Sequence, residues 1–241
     1  MRELRRRGAA GQSTTEFLII FPMLVMLVFG IIQFALIFQA RATLNHATML
    51  AARAGALHNG DRTAMRKALA SGLVPLFNRK PDMAEYAQAL VRANLETAQV
   101  SNMATLAVLN PTRAALADFG RNRLDTLAGR ELPGDTLSYR NTAPGAASRI
   151  SVQDANLLHL RVSYCFRLVV PVMDRVIYAG AHALGPFAAA LSANGMQDPF
   201  GTHGTNVPSL DCLNPLFRGP RIIIRSEAIV RMQSPFFEAN L

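Results

Sequence analysis

Gly11 and Glu16 flank the junction whose residue types best suit a chemical event, Gly11-Gln12-Ser13-Thr14-Thr15-Glu16. The event would be hydrolysis of the peptide bond after Gly11. A glycine there has no side chain and lets the backbone enter a tight cleft. The cut would make Gln12 the new amino terminus and Glu16 the fifth residue. The new ammonium and the Glu16 carboxylate would lie about one helical turn apart, or could meet on neighbouring helices. An unpaired charge is costly at low dielectric, so such a pair could fix helix register during assembly. Glu16 taken alone also reads as an ordinary acid at a helix start, favoured by the macrodipole.

Other chemistry is sparse. The two cysteines, Cys165 and Cys212, form no C-x-x-C, which argues against a zinc ribbon or thioredoxin-type site. In an oxidising compartment they are expected to form a disulfide, worth about 4 kcal/mol on the chain-entropy estimate. The alternative is a buried Cys165 with an unrelated free Cys212. None of His46, His58, His159, His182 and His203 lies in a ligand spacing, and Gly201-Thr202-His203-Gly204 reads as a turn. There is no G-x-S-x-G, P-loop or dinucleotide fingerprint, and no carboxylate pair stands out. The expectation is therefore no catalytic residue, no metal, no cofactor and no small-molecule substrate.

The elements around the junction explain what it is for. Upstream, Arg2, Arg5, Arg6 and Arg7 outweigh Glu3. Downstream, Phe17 to Phe38 is a run of 22 residues with Gln33 as its polar member and Pro22 within it. As a helix it measures about 33 Å, enough for a hydrocarbon core of about 30 Å. The positive cluster should stay cytoplasmic and the bulk of the chain outside. Three readings fit this end: a plain signal anchor, a signal peptide cut at Ala40-Arg41-Ala42, and a prepilin-type leader cut on the cytoplasmic side before the apolar run. The apolar run is longer than a signal peptide needs, and Glu16 stands at its entrance, so the third is preferred.

The junction and run, Gly11-Gln12-Ser13-Thr14-Thr15-Glu16-Phe17-Leu18-Ile19-Ile20-Phe21-Pro22, resemble the N-terminal signature of TadE/TadG-like proteins. Gly30-Ile31-Ile32-Gln33-Phe34 and Ala51-Ala52-Arg53-Ala54-Gly55 extend the likeness to Gly55. Ser13-Thr14-Thr15 stand where the family often has more apolar residues. The resemblance implies a pseudopilin of the tight-adherence (Tad, type IVb or Flp) pilus system, with the TadE type favoured by size. It also implies processing between Gly11 and Gln12 by a prepilin peptidase. The implied partners are other pilins or pseudopilins and the inner-membrane pilus platform.

The remaining residues predict an α+β fold: a long N-terminal transmembrane and stalk helix, then a globular head with several helices and a small antiparallel sheet. The expected division is a basic leader at 1–11, the transmembrane and stalk helix at 12–58 and an extracytoplasmic head at 59–241. Ala40, Ala47, Ala51, Ala54 and Gly55 offer small faces for another helix or for the protein's own head. Asn59-Gly60 should stop the helix and Asp61 cap the next, over 62–71, which Gly72 and Pro75 should end. Asp82-Met83-Ala84-Glu85 opens a helix to about Val100. Met103 to Leu109 reads as a strand, Thr112 as the cap of a helix to about Ala128, and Thr136 to Arg140 as a short strand. Residues 141–156 read as a loop.

Apolar and polar residues alternate in the first half of Leu157 to Val170 and along Arg221 to Met232, and these two strands are expected to pair as antiparallel neighbours. Arg161, Arg167, Arg221, Arg225 and Arg231 are expected on the outer face, as a basic docking surface or simply a solvated one. Residues 172–193 read as an amphipathic or buried helical hairpin near the sheet or membrane surface, with a second membrane span as the alternative, and 194–220 as a loop. The net charge of +9 comes with scattered arginines and no recognition motif, so no nucleic-acid partner is expected.

Together these features predict a single-pass inner-membrane protein with its head in the periplasm, located at or within a pilus. The competing reading is a signal-anchored periplasmic binding or enzymatic domain that is not cut at Gly11.

Overall fold

A computed structural model describes residues 10–98, 103–123, 129–177, 179–180 and 221–241, with side chains from residue 14. The first helix, α1 (Ala10–Leu57), runs without a break for 48 residues and includes Pro22. Pro22 has no N–H, so the helical bond to the Leu18 carbonyl cannot form. The helix ends where expected. Asn59 and Gly60 are left-handed, with φ of 56° and 76°, and the Gly60 N–H donates to the Gly55 carbonyl at 2.9 Å.

Asp61 then caps α2 (Arg62–Leu73), its carboxylate accepting the N–H groups of Thr63 and Ala64. These hydrogen bonds, that of Thr63 foremost, hold the Asp61 carboxyl below its usual range. Asp82 caps α3 (Met83–Thr97) in the same way through Ala84. Strand β1 (Ala104–Asn110) stops at Pro111, and Thr112 caps α4 (Arg113–Phe119). Next come β2 (Arg121–Asn122), β3 (Arg130–Leu132), the single turn α5 (Val152–Ala155), β4 (Leu157–Arg167), β5 (Arg221–Arg231) and β6 (Phe236–Phe237).

Among the described residues two three-stranded sheets form, in orders β1-β4-β5 and β2-β3-β6. Strand β1 is antiparallel to β4, with Ala104 opposite Tyr164 and Leu106 opposite Val162. Met232 N donates to Asn156 O just beyond one end of β4 and β5. Five residues earlier, Glu227 meets Arg161, which lies five residues after Asn156. The shifts are opposite in sign, so β4 and β5 run antiparallel, as expected. Leu158, Leu160, Val162 and Tyr164 of β4 are buried, as are Ile224, Ser226 and Ala228 of β5. This is the period-two face read from the sequence.

The described residues fall into two compact units. One holds 10–39, 167–177, 179–180 and 221–222. The other holds 40–98, 103–123, 129–166 and 223–241. The second contains both sheets and the buried small residues Ala40, Ala47, Ala51, Ala52 and Ala56. Those residues pack on the protein's own head. A Cβ built on Gly72 of α2 would lie 2.6 Å from Ala47 Cα, and one on Gly55 would lie 2.9 Å from Leu158 Cδ2.

Four expectations need correction. The helix capped by Thr112 stops at Phe119, because the Gly120 N–H closes on the Leu116 carbonyl while Gly120 itself turns extended. Strand β2 follows directly, and 124–128 lie outside the described residues. Thr136 to Arg140 is not a strand: Thr136 is left-handed, with φ of 55°, and leads into a 3-10 turn that buries Leu137. The single sheet becomes two, the second built from strands too short to leave an alternating pattern. Arg221, expected on the outer face, is buried. The hairpin expected at 172–193 lies mostly, and the loop at 194–220 wholly, outside the described residues.

Candidate processing and assembly segment

The helical backbone from Ala10 places Gln12 and Glu16 four residues apart, hence on one helix face. Glu16 is exposed, and the rings of Phe17 and Phe21, one turn apart, meet at a tilt of 31° with centroids 5.3 Å apart. Beyond them, Leu18, Ile19, Ile20, Met23, Leu24, Leu27, Ile31, Ile32, Phe34 and Phe38 are all exposed. A helix so apolar and so uncovered is long enough to cross a bilayer. A cut at Ala40-Arg41-Ala42 would instead fall inside this continuous helix, beside the buried Ala40 and Leu44.

One polar side chain departs from the pattern. Gln33 is fully buried, and its Oε1 accepts the backbone N–H groups of Val169 at 3.2 Å and Val170 at 2.9 Å. Gly30, one turn earlier, is buried beside Met173. The sequence carried the signal, a lone amide in an apolar run, but not its partner, which lies more than 130 residues away.

The far end of α1 is closed by residues 233–240. The Ala56 carbonyl accepts the N–H groups of Gln233 and Ser234, both at 3.1 Å, and the Ser234 hydroxyl at 3.0 Å. Asn59 donates from its backbone to Ser234 Oγ and from its side chain to the Pro235 carbonyl, each at 2.8 Å. The Asn59 carbonyl accepts from Phe237 N and Asn240 Nδ2. Of the carbonyls that the helix end leaves open, Ala56 is satisfied by this segment, Ala54 by the His58 N–H and Gly55 by the Gly60 N–H.

Residues 11–53 match the family model of TadE-like proteins. The matched stretch begins at Gly11, includes Glu16, Pro22 and Gln33, and ends within the buried Ala-rich part of α1. No curated protein and no solved structure matches the chain. The head at 59–241 thus lies beyond the TadE-like segment.

The remaining candidates separate in space. Cys165 is buried on β4 and disulfide-bonded. Cys212, His182 and His203 lie outside the described residues. His46 and His58 are exposed on and just after α1. Among the described residues no group of three or more His, Cys, Asp or Glu is placed to hold a metal ion. The basic outer face is broken up. Arg167 and Arg231 are exposed, but Arg161 Nε donates to Glu227 Oε1 at 2.6 Å, and His159 Nε2 lies 2.8 Å from Glu227 Oε2.

Burial alone would raise the Glu227 carboxyl, but the hydrogen bonds from Arg161 and His159 win and hold it below its usual range. A depressed carboxyl contributes stability above its unfolded value and loses it as pH falls through the folded one. Glu227→Gln should therefore cost about 0.5 kcal/mol near pH 7, the scale of an exposed pair. The gap from wild type should close below the carboxylate range in urea melts. A gap that persists unchanged at low pH would count against the ion pair.

A second cluster joins the smaller sheet. Arg121 Nε donates to the buried Glu131 at 2.9 Å and Arg121 Nη1 reaches Asp135 at 3.3 Å. The hydrogen bond to Glu131 is the main cause of the raised Arg121 value.

Proposed function

We propose that this protein is a pseudopilin-like, membrane-anchored assembly component of a Tad (type IVb) pilus. The observation that carries the proposal is the coincidence of the TadE-like match with an exposed apolar helix that begins at the Gly11 to Glu16 junction. In this reading the head of residues 59–241 stands in the periplasm and residues 1–11 are a leader. A prepilin peptidase removes the leader after Gly11.

The exposed part of α1 then serves twice, as membrane anchor and as the surface that meets other pilin helices. The buried small residues from Ala40 to Ala56 support that division, because the protein's own head already covers them. Glu16 pairs with a freed Gln12 amine, on its own helix or a neighbour's. The partners are the peptidase, other pilins or pseudopilins and the inner-membrane platform.

Co-expression with a prepilin peptidase tests the reading. The mature chain should begin at Gln12, read by N-terminal sequencing. An intact Met1 in the native host would sink the processing step, and a start at Thr43 would favour a signal peptide. Glu16→Ala should leave the cut intact and strongly reduce piliation. Normal piliation in that variant removes the charge pair. The disulfide partner of Cys165 is proposed to be Cys212, closing the intervening segment onto β4. Mass mapping under partial reduction should find that single linked pair, and two free thiols in protein from the oxidising compartment would refute it.

A further inference from the structure

One segment outside the head's sheets packs against the apolar part of α1. Arg167 ends β4, and the chain then turns through Val169 and Val170 into helical residues 173–177. That turn is tied to α1 by the two hydrogen bonds onto Gln33 and by Met173 beside Gly30. We propose that residues 168–177 enter the outer leaflet of the membrane beside α1, giving the protein a second, shallow membrane contact. The inference rests on the reading that α1 spans the bilayer with the head outside.

Depth comes first. Gln33 lies five residues and Gly30 eight residues before Phe38, the end of the apolar run. At 1.5 Å per residue these are about 8 and 12 Å inside it, close to the depth at which interfacial segments bury their apolar side.

Surface chemistry agrees. Val169 is 61% exposed, Val172 47% and Val176 53%, although all three are apolar. They belong to the same compact unit as Ile31, Ile32 and Phe34, the exposed residues of α1 around Gln33. Arg167 just before the segment and Arg175 within its helical part are both exposed, with long side chains that can reach toward the headgroup layer. Asp174 accepts the Arg175 N–H at 2.7 Å.

The backbone is the stronger argument. Non-helical chain at membrane depth survives only where its N–H and C=O groups are satisfied from within the protein. Val169 and Val170 are in the non-helical turn, and Gln33 supplies the acceptor for both N–H groups. The Val170 carbonyl accepts Asp174 N at 3.0 Å and the Val172 carbonyl accepts Val176 N at 3.1 Å. An amide inside an apolar run is costly, and here it carries the hydrogen bonds that a descending turn needs.

The chain has no tryptophan, so one introduced residue is a unique fluorescent probe. Val169→Trp, Val176→Trp, Phe34→Trp and Ile229→Trp are each placed in the full chain and reconstituted into vesicles of phosphatidylethanolamine and phosphatidylglycerol. Half of the vesicles carry brominated acyl chains. Insertion predicts blue-shifted emission at 169 and 176, with bromine quenching within about twofold of that at position 34. The probe at 229, on β5, is expected to stay unquenched. If positions 169 and 176 are unquenched while 34 is quenched, the segment lies in water or under a protein partner. The second contact is then refuted and the anchor stands. An unquenched position 34 would remove both.

Discussion

Gly60→Ala is expected to destabilise the head by about 2–4 kcal/mol, lowering its melting temperature by about 6–12 °C. Two costs add. Gly60 is left-handed at φ of 76°, where a Cβ meets the backbone. That Cβ would also lie 2.2 Å from Cε2 of Phe236, a ring with no exposed surface. Neither side can give way cheaply, because Gly60 N is held by Gly55 O and Phe237 N by Asn59 O. Gly134→Ala is the control, its nearest neighbour being at an ordinary 3.6 Å, and should change stability by less than about 0.5 kcal/mol. Thermal unfolding followed by circular dichroism reads both. Equal melting of Gly60→Ala and wild type would show that the α1 end does not need this turn.

Gly72→Ala sets two effects of opposite sign against each other. Alanine in place of glycine inside a helix gains about 1 kcal/mol of propensity. Overpacking costs about 1–3 kcal/mol, and more where the obstacle is backbone. The new methyl would stand 2.6 Å from Ala47 Cα and 2.7 Å from Ala47 Cβ, so α1 and α2 must part. Packing should win, with a net loss of about 1–2 kcal/mol for alanine and more for valine. Ala47→Gly removes the contact with Cβ but not that with Cα, so the double variant should recover part of the loss. Ser71→Ala, at the exposed neighbouring position, should be within about 0.5 kcal/mol of wild type. A Gly72→Ala protein more stable than wild type in denaturant melts would show that the helices can separate at no cost.

Those two glycines also mark where the sequence could and could not be read. Asn59-Gly60 and Asp61 announced a stop and a restart, because turn and cap chemistry is local. The alternation of Leu158, Leu160, Val162 and Tyr164 announced a half-buried strand, because period two is local as well. Gly72 carried no such mark. Expected to help end α2, it lies inside that helix, and its role depends on Ala47, 25 residues earlier. The small sheet was hidden for a related reason. Arg121 opposite Glu131 and Leu132 opposite Phe236 are pairings between strands of two or three residues, too short to impose a period.

At the junction, the types of Gly11, Glu16 and Pro22 were enough to point to the TadE-like match. The role of Gln33 was not legible, because an amide in an apolar run does not say which backbone it will hold.

The bonds from Ala56 to Gln233 and Ser234 have a kinetic consequence. Ala56 and Ser234 are 178 residues apart, so drawing them together costs about 4–5 kcal/mol of chain entropy before any contact repays it. These bonds can form only after nearly all of the head has been synthesised. Until then the end of α1 lacks the acceptor bonds and the Phe236 ring that pack its turn. The first helix therefore has its far end finished last. The head completes as a slow, non-local event of the kind set by high contact order.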